Sequence, residues 1–234
     1  MPKIYFAKKQ LGDVTGASVH VRYSYGAVFQ GGVENKLSAG VNEGVAGLTY
    51  VVNYLNSTDS NNVNENFKYF FKRYFLSENY NDAETLGAIG SVLSLTKAGL
   101  AKTTIKVYSK ANHDTNGRVA GYVTSYWGKG ADQKHRNLGI HHGKDRARAV
   151  FKGDIHMGSS IVKNGTQLEN AVLFLHEATH KYASTSDFGE KGYTTDKGFY
   201  REDGLTPAQA LNNAETYARF AMHFYRKEIG GLQW

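Results

Sequence analysis

Phe67, Phe70, Phe71, Tyr74 and Phe75 fall at i, i+3, i+4, i+7 and i+8 along one stretch of the chain. That spacing is the α-helical repeat, and a stripe of five aromatic rings predicts a helix facing the core rather than a ligand box. Residues 41 to 56 also read as helical and end at the polar run Ser57-Thr58-Asp59-Ser60-Asn61-Asn62. A third helix is expected to start after Asp82, whose short carboxylate suits an N-cap. Its apolar positions Leu86, Ile89, Val92, Leu93 and Leu100 are expected to pack on the aromatic helix. A closing helix is expected from Pro207, a residue tolerated in a first turn, to about Lys227.

Strand signals are fewer. Ser18-Val19-His20-Val21-Arg22-Tyr23 alternates, and residues 1 to 40 contain many glycines, which suggests short strands or a loosely structured arm. Val119 to Trp127 alternates and is rich in β-formers, and Asp154 to Ile161 is a second candidate strand. The pattern as a whole predicts an α+β fold, mainly helical with a small sheet. No internal repeat and no second core is visible, so residues 1–234 are expected to form a single domain, with residues 1–40 either an N-terminal extension or part of it.

The chemistry lies after the apolar run Ala171-Val172-Leu173-Phe174-Leu175. Residues 176 to 180 read His-Glu-Ala-Thr-His, an HExxH motif. On a helix, i and i+4 share a face one turn apart, so His176 and His180 can offer two imidazole nitrogens to one metal ion. Glu177 stands beside them as a base for a water molecule. Two fixed ligands, an open position and a carboxylate base are what a zinc peptidase needs. A third ligand is required, and spacing leaves three candidates: Asp187, Asp196 and Glu215, at seven, sixteen and thirty-five residues beyond His180. A strand at the edge of a sheet beside such a helix can bind substrate as an added strand. Asp154-Ile155-His156-Met157-Gly158 is the candidate for that edge, with His156, Met157 and Gly158 touching substrate.

An ordered set of residues extends the motif. His176-Glu177-Ala178-Thr179-His180 is followed by Ser184-Thr185-Ser186-Asp187, then Gly192-Tyr193, then Asn213-Ala214-Glu215-Thr216-Tyr217. Over roughly residues 65 to 225 the chain resembles the aspzincins, the deuterolysin and peptidyl-Lys metalloendopeptidase family. Their pattern is HExxH, then Gly-Thr-x-Asp, a Tyr, and a helix beginning Asn-Ala-Asp/Glu. The resemblance implies a zincin-like fold and one Zn2+ per chain held by His176, His180 and Asp187. Glu177 would act as the base, and Tyr193 would donate to the oxyanion. Glu215 would line the pocket for the residue after the cleaved bond, where a buried carboxylate favours Lys. The chain departs from the family in three places. Asp187-Phe188-Gly189-Glu190-Lys191-Gly192-Tyr193 replaces Asp-x-x-Tyr-Gly, Ala218 stands where Lys-specific members carry a second acid, and Cys is absent. The last fits a bacterial branch better than the disulfide-bonded secreted fungal enzymes.

Composition narrows the setting. Without Cys, any metal must be held by His and carboxylates. No apolar run approaches the ~18 residues of a membrane span, and the first ten residues lack the apolar core of a signal peptide. The chain is thus expected to be a mature form, to stay inside, or to leave by a specialised secretion route. The net charge of +7 is concentrated in part between Lys129 and Lys152. No nucleic-acid motif accompanies it, and a solvated loop explains it. The expected partner is a protein or peptide substrate. Two alternatives stand beside this reading: a delivered bacterial effector peptidase of narrow specificity, with an immunity or secretion partner, and a zinc-binding zincin-fold module without catalysis.

Overall fold

The computed structural model describes residues 6–10, 18–23, 32–101, 105–110, 120–126, 150–193 and 204–231. Two strands come first, β1 (Phe6–Gln10) and β2 (Ser18–Tyr23). The helices α1 (Val33–Ser57), α2 (Glu65–Phe75) and α3 (Ala83–Leu100) follow. Next are β3 (Ile105–Lys110), β4 (Gly121–Tyr126) and β5 (Val150–Gly158). The chain continues through the short α4 (Ser159–Asn164), then α5 (Gln167–Ala183), α6 (Pro207–Ala210) and α7 (Ala214–Glu228). The fold is therefore helix-dominated with one mixed five-stranded sheet, in the order β1-β2-β3-β5-β4.

Helix α1 is the spine. Val33, Leu37, Val41, Val45, Leu48 and Val52 recur every three to four residues and are all buried. The helix starts eight residues earlier than the sequence pattern suggested, because the glycines within it read as breakers. Gly40 is there for a close crossing: a Cβ at that position would lie 2.5 Å from Cβ of Asn170 and 3.0 Å from its backbone carbon. The absence of a side chain brings α1 directly onto the first turns of α5.

The aromatic stripe of α2 is buried as expected, with Phe67, Phe70, Phe71, Tyr74 and Phe75 all at 1% exposure or less. Its partner is α7: Phe67 meets Phe220 edge-on at 5.4 Å between ring centres, and Phe75 meets Phe220 at 5.1 Å. Each such pair contributes ~0.5–1.5 kcal/mol beyond its buried area. Asn64 and Asp82 cap α2 and α3 by accepting from the backbone N–H groups of Phe67 and Thr85. Helix α3 does not pack chiefly on α2, contrary to the sequence expectation. Its principal partners are α1 and α5. Gly99 permits this, since a Cβ there would fall within 2.1 Å of the Tyr182 ring.

Two other expectations are corrected. The closing helix is broken: α6 ends at Ala210, and the backbone N–H of Asn213 bonds back to the Ala210 carbonyl at 3.2 Å before α7 starts. Of the described residues before 41, whose role the sequence left open, β1 and β2 join the sheet and residues 33–40 form the first turns of α1. Strand β5 is not an edge. Residues Ile155 to Gly158 pair with Val107 to Lys110 of β3, and Ile155, His156 and Met157 pair with Val123, Tyr122 and Gly121 of β4 on the other side. Among the described strands, the edge next to α5 is β4. No helix among the described residues is long and apolar enough to cross a membrane.

Candidate metal centre

Helix α5 carries the motif and is built to hold it still. Thr166 and Glu169 form a reciprocal capping box at its start. Ala171, Val172, Phe174, Leu175 and Ala178 bury its inner face. Its C-terminal half places His176 and His180 with exposures of only 4% each. At the C-terminus, Ser184 adopts the left-handed conformation (φ 55°) and its N–H bonds to the His180 carbonyl at 3.1 Å. This reverses the chain, so that Thr185 and Asp187 return over the end of the helix. Glycine suits that conformation better than serine, which carries ~1–2 kcal/mol of steric cost there. Ser184→Gly is expected to stabilise the fold, after the added freedom of the unfolded chain is deducted, by a few tenths to ~1 kcal/mol. Chemical denaturation of the two proteins measures it.

The three donor atoms form a nearly equilateral triangle. Nε2 of His176 and Nε2 of His180 are 3.1 Å apart, and each is 3.2 Å from Oδ1 of Asp187. A tetrahedral zinc site with ligand bonds of ~2.0–2.1 Å has edges of ~3.3 Å, so the triangle matches one face of such a site. The proton count agrees. Nδ1 of His180 must donate to the Thr185 carbonyl at 2.7 Å, since a carbonyl only accepts. Nδ1 of His176 donates to Oε2 of Glu215 at 3.2 Å. In the neutral rings both Nε2 atoms therefore carry lone pairs, and these converge with a carboxylate oxygen on one point. Only positive charge relieves that arrangement.

Electrostatics repeat the demand. Burial opposes a charge on His176, but the neighbouring carboxylates of Asp187 and Glu215 outweigh it and hold the metal-free ring's pKa well above the ordinary value. Burial would raise Asp187, yet its bonds to His176 and His180 hold it far below the usual carboxylate range. A His-His-Asp group that can hold a metal ion, with both histidines buried, is thus present. The Asp187 side chain is 46% exposed against 5% for each histidine, so the site opens to solvent on the Asp187 side.

Glu177 lies within this field. It is 3% exposed, and its Oε2 has no hydrogen-bond partner among the described residues. Burial, then the carboxylates of Asp187 and Glu215, push its pKa up to about 7 against the pull of the two histidines. A buried carboxylate with an unused oxygen beside a metal-binding triad is poised to exchange a proton with water. Its position is set by Gly121 on β4, where a Cβ would lie 2.8 Å from Glu177 Oε1, 3.0 Å from the His156 carbonyl and 3.1 Å from Leu173. Gly121→Ala is expected to displace Glu177 and lower any Glu177-dependent turnover at least ~10-fold, since misplacement of ~1 Å can cost ~10²-fold. Metal content, measured by elemental analysis, should stay at the wild-type value.

The predicted residues sort clearly. His176, His180 and Asp187 come together as a group that can hold a metal ion. Tyr193 stacks on the His176 ring at 5.8 Å with planes 16° apart. Burial and then the Asp187 carboxylate raise its pKa, so its hydroxyl is a donor at any ordinary pH. Glu215 also reaches the site, but on the Nδ1 side of His176 and bonded to Arg219. Asp196 lies outside the described residues. Met157 is buried at 1%, His156 pairs with β3 on one side and β4 on the other, and Gly158 pairs with Lys110 of β3, so this segment of β5 is not the sheet edge expected for substrate.

Sequence reasoning passed over five positioning residues. Thr185 supplies the carbonyl for His180. Asn213 donates to the Gly192 carbonyl at 2.8 Å and so anchors the turn before Tyr193. Ser186 bridges to the start of α7, accepting from the Ala214 N–H at 3.0 Å and donating its own N–H to Asn212 at 2.8 Å. Arg219 and Gly121 complete the frame. Asn213 was the most legible of these, as the head of the Asn-Ala-Glu segment. No protein-family model matches the chain, and no curated protein matches it either.

Proposed function

We propose that this chain is a zinc-dependent endopeptidase of aspzincin type, with a zincin-like fold. The observation that carries the reading is the convergence of His176, His180 and Asp187 on one point, 3.1–3.2 Å apart, with the buried and unsatisfied carboxylate of Glu177 beside it. A structural metal site has no duty for such a carboxylate, whereas a hydrolytic one does. Zinc, when bound, would supply a Lewis acid that lowers the pKa of water and polarises a carbonyl.

The chain's own residues account for the rest. Glu177 takes a proton from the attacking water and returns it to the departing amine, from a buried position with one oxygen unengaged. Tyr193, protonated and packed on His176, offers its hydroxyl to the tetrahedral oxyanion. The edge of β4 offers backbone N–H and C=O groups to an extended substrate, fixing it by strand addition close to Glu177. The Asp187 side, open to solvent, is where substrate and water enter.

The test is zinc content by elemental analysis together with cleavage-site mapping on a denatured protein mixture by mass spectrometry. One zinc per chain with discrete cuts supports the reading. A protein that binds no zinc sinks it, and a zinc-loaded protein that cuts nothing points to the binding-module alternative.

A further inference from the structure

Glu215 stands in the first turn of α7 with a side chain only 7% exposed, and both of its oxygens are engaged. Oε2 accepts from Nδ1 of His176 at 3.2 Å. Oε1 accepts from Nε of Arg219, one turn further along the same helix, at 2.8 Å. The Arg219 side chain is itself 16% exposed, so this ion pair is screened little by water. A carboxylate held in this way faces the Nδ1 side of the imidazole, away from the nitrogen that converges with Asp187. Its charge is already balanced by a guanidinium on one side and a ring N–H on the other.

We propose that Glu215, backed by Arg219, is a positioning residue that fixes the orientation and tautomer of His176 for metal binding, and that it is not a selector of lysine side chains. The proposal rests on the metal-site reading above. Two other features converge on it. Tyr193 stacks flat on the His176 ring, so the ring is held by a plane and by an edge at once. Nδ1 of the second histidine meets two neutral oxygens of Thr185, its carbonyl at 2.7 Å and its hydroxyl at 3.4 Å. His176 is therefore the ligand whose basicity a charged partner raises, and removing that charge weakens the ligand itself. Arg219 supplies the counter-charge that backs Glu215 in this position, through the 2.8 Å contact of its Nε with Oε1.

The experiment titrates zinc into the metal-free protein against a chromophoric chelator, for wild type, Glu215→Gln, Glu215→Ala and Arg219→Gln. The melting temperature of each metal-free protein is recorded in parallel. Gln keeps an acceptor for the His176 N–H but not the charge, whereas Ala loses both. A zinc dissociation constant raised ~10–100-fold is expected for Gln, and more for Ala. Arg219→Gln should shift it in the same direction by less, and it serves as the readout if the Glu215 variants do not fold. The Co2+-loaded forms should show a shifted visible absorption band. A merely structural role would lower the metal-free melting temperature and leave the affinity of the folded protein unchanged, and that result overturns the proposal. Cleavage mapping supplies the second arm. Cuts without enrichment of Lys on the leaving side support the assignment. Enrichment that Glu215→Gln abolishes overturns it and returns Glu215 to the substrate pocket. A wild-type protein that binds no zinc overturns the metal-site reading instead, so the two failures are distinct.

Discussion

Glu177→Gln is expected to leave the metal bound and to lower peptide hydrolysis by ~10⁴-fold or more, at or beyond the top of the ~10²–10⁴ range of a general base. The substitution keeps shape and volume and removes only the proton acceptor. The metal ligands are untouched, because Glu177 makes no hydrogen bond to any of them. A second consequence follows from burial. A carboxylate whose pKa rises from 4.5 to about 7 on folding binds more protons folded than unfolded across that interval. Glu177 therefore contributes a loss of stability to the metal-free wild-type protein as pH rises from 4.5 through 7, of up to ~3 kcal/mol once both pKa values are passed, and comparison with a variant lacking the group isolates it. The neutral Gln does not titrate. Metal-free Glu177→Gln should thus be more stable than metal-free wild type at pH 8, with the difference shrinking toward pH 5. Denaturation curves at the two pH values, set beside a peptidase assay, measure both effects. Wild-type turnover in the variant would remove Glu177 from the mechanism.

The contrast between these two properties explains what could be read from the chain beforehand. The HExxH helix was legible because its chemistry is local: two ligands and a base lie within five residues, and helical periodicity alone puts the histidines on one face. By spacing Asp187 was one of three carboxylates, and only the resemblance singled it out. What brings it to the two histidines is a left-handed residue, Ser184, which turns the chain back over the end of α5. No periodicity reports such a turn. The aromatic stripe of α2 gave its own burial but not its partner. The choice between α3 and α7 depends on which surfaces fit, and Gly99 against Tyr182 sends α3 elsewhere. The edge strand was misplaced for a similar reason. Alternation reports that a segment is extended, whereas its place in the order β3-β5-β4 depends on pairings far apart in sequence. Gly121, which sets the position of the base, is an unremarked glycine until β4 is laid against α5.

Asp187→Ala is expected to cost zinc affinity well beyond the ~10–100-fold that outer-shell partners command, and to bring activity to background. Two lone pairs from His176 and His180 remain, 3.1 Å apart, but the charge that complements a dication is gone. The effect should also appear in stability. A ligand that binds only the folded state stabilises it by RT ln(1 + [L]/Kd), which is ~4 kcal/mol at a thousandfold excess over Kd. Adding a chelator to wild-type protein should therefore lower its melting temperature by many degrees, while Asp187→Ala should melt at nearly one temperature with or without chelator. The sign of the remaining difference is informative. In the metal-free state Asp187 is the counter-charge that a protonated histidine needs, so metal-free Asp187→Ala should be less stable than metal-free wild type below the raised pKa of His176. The two should approach each other as pH rises through it. A chelator-insensitive wild type would mean that the triad does not bind metal tightly, and the triangle of donors would then need another source of positive charge.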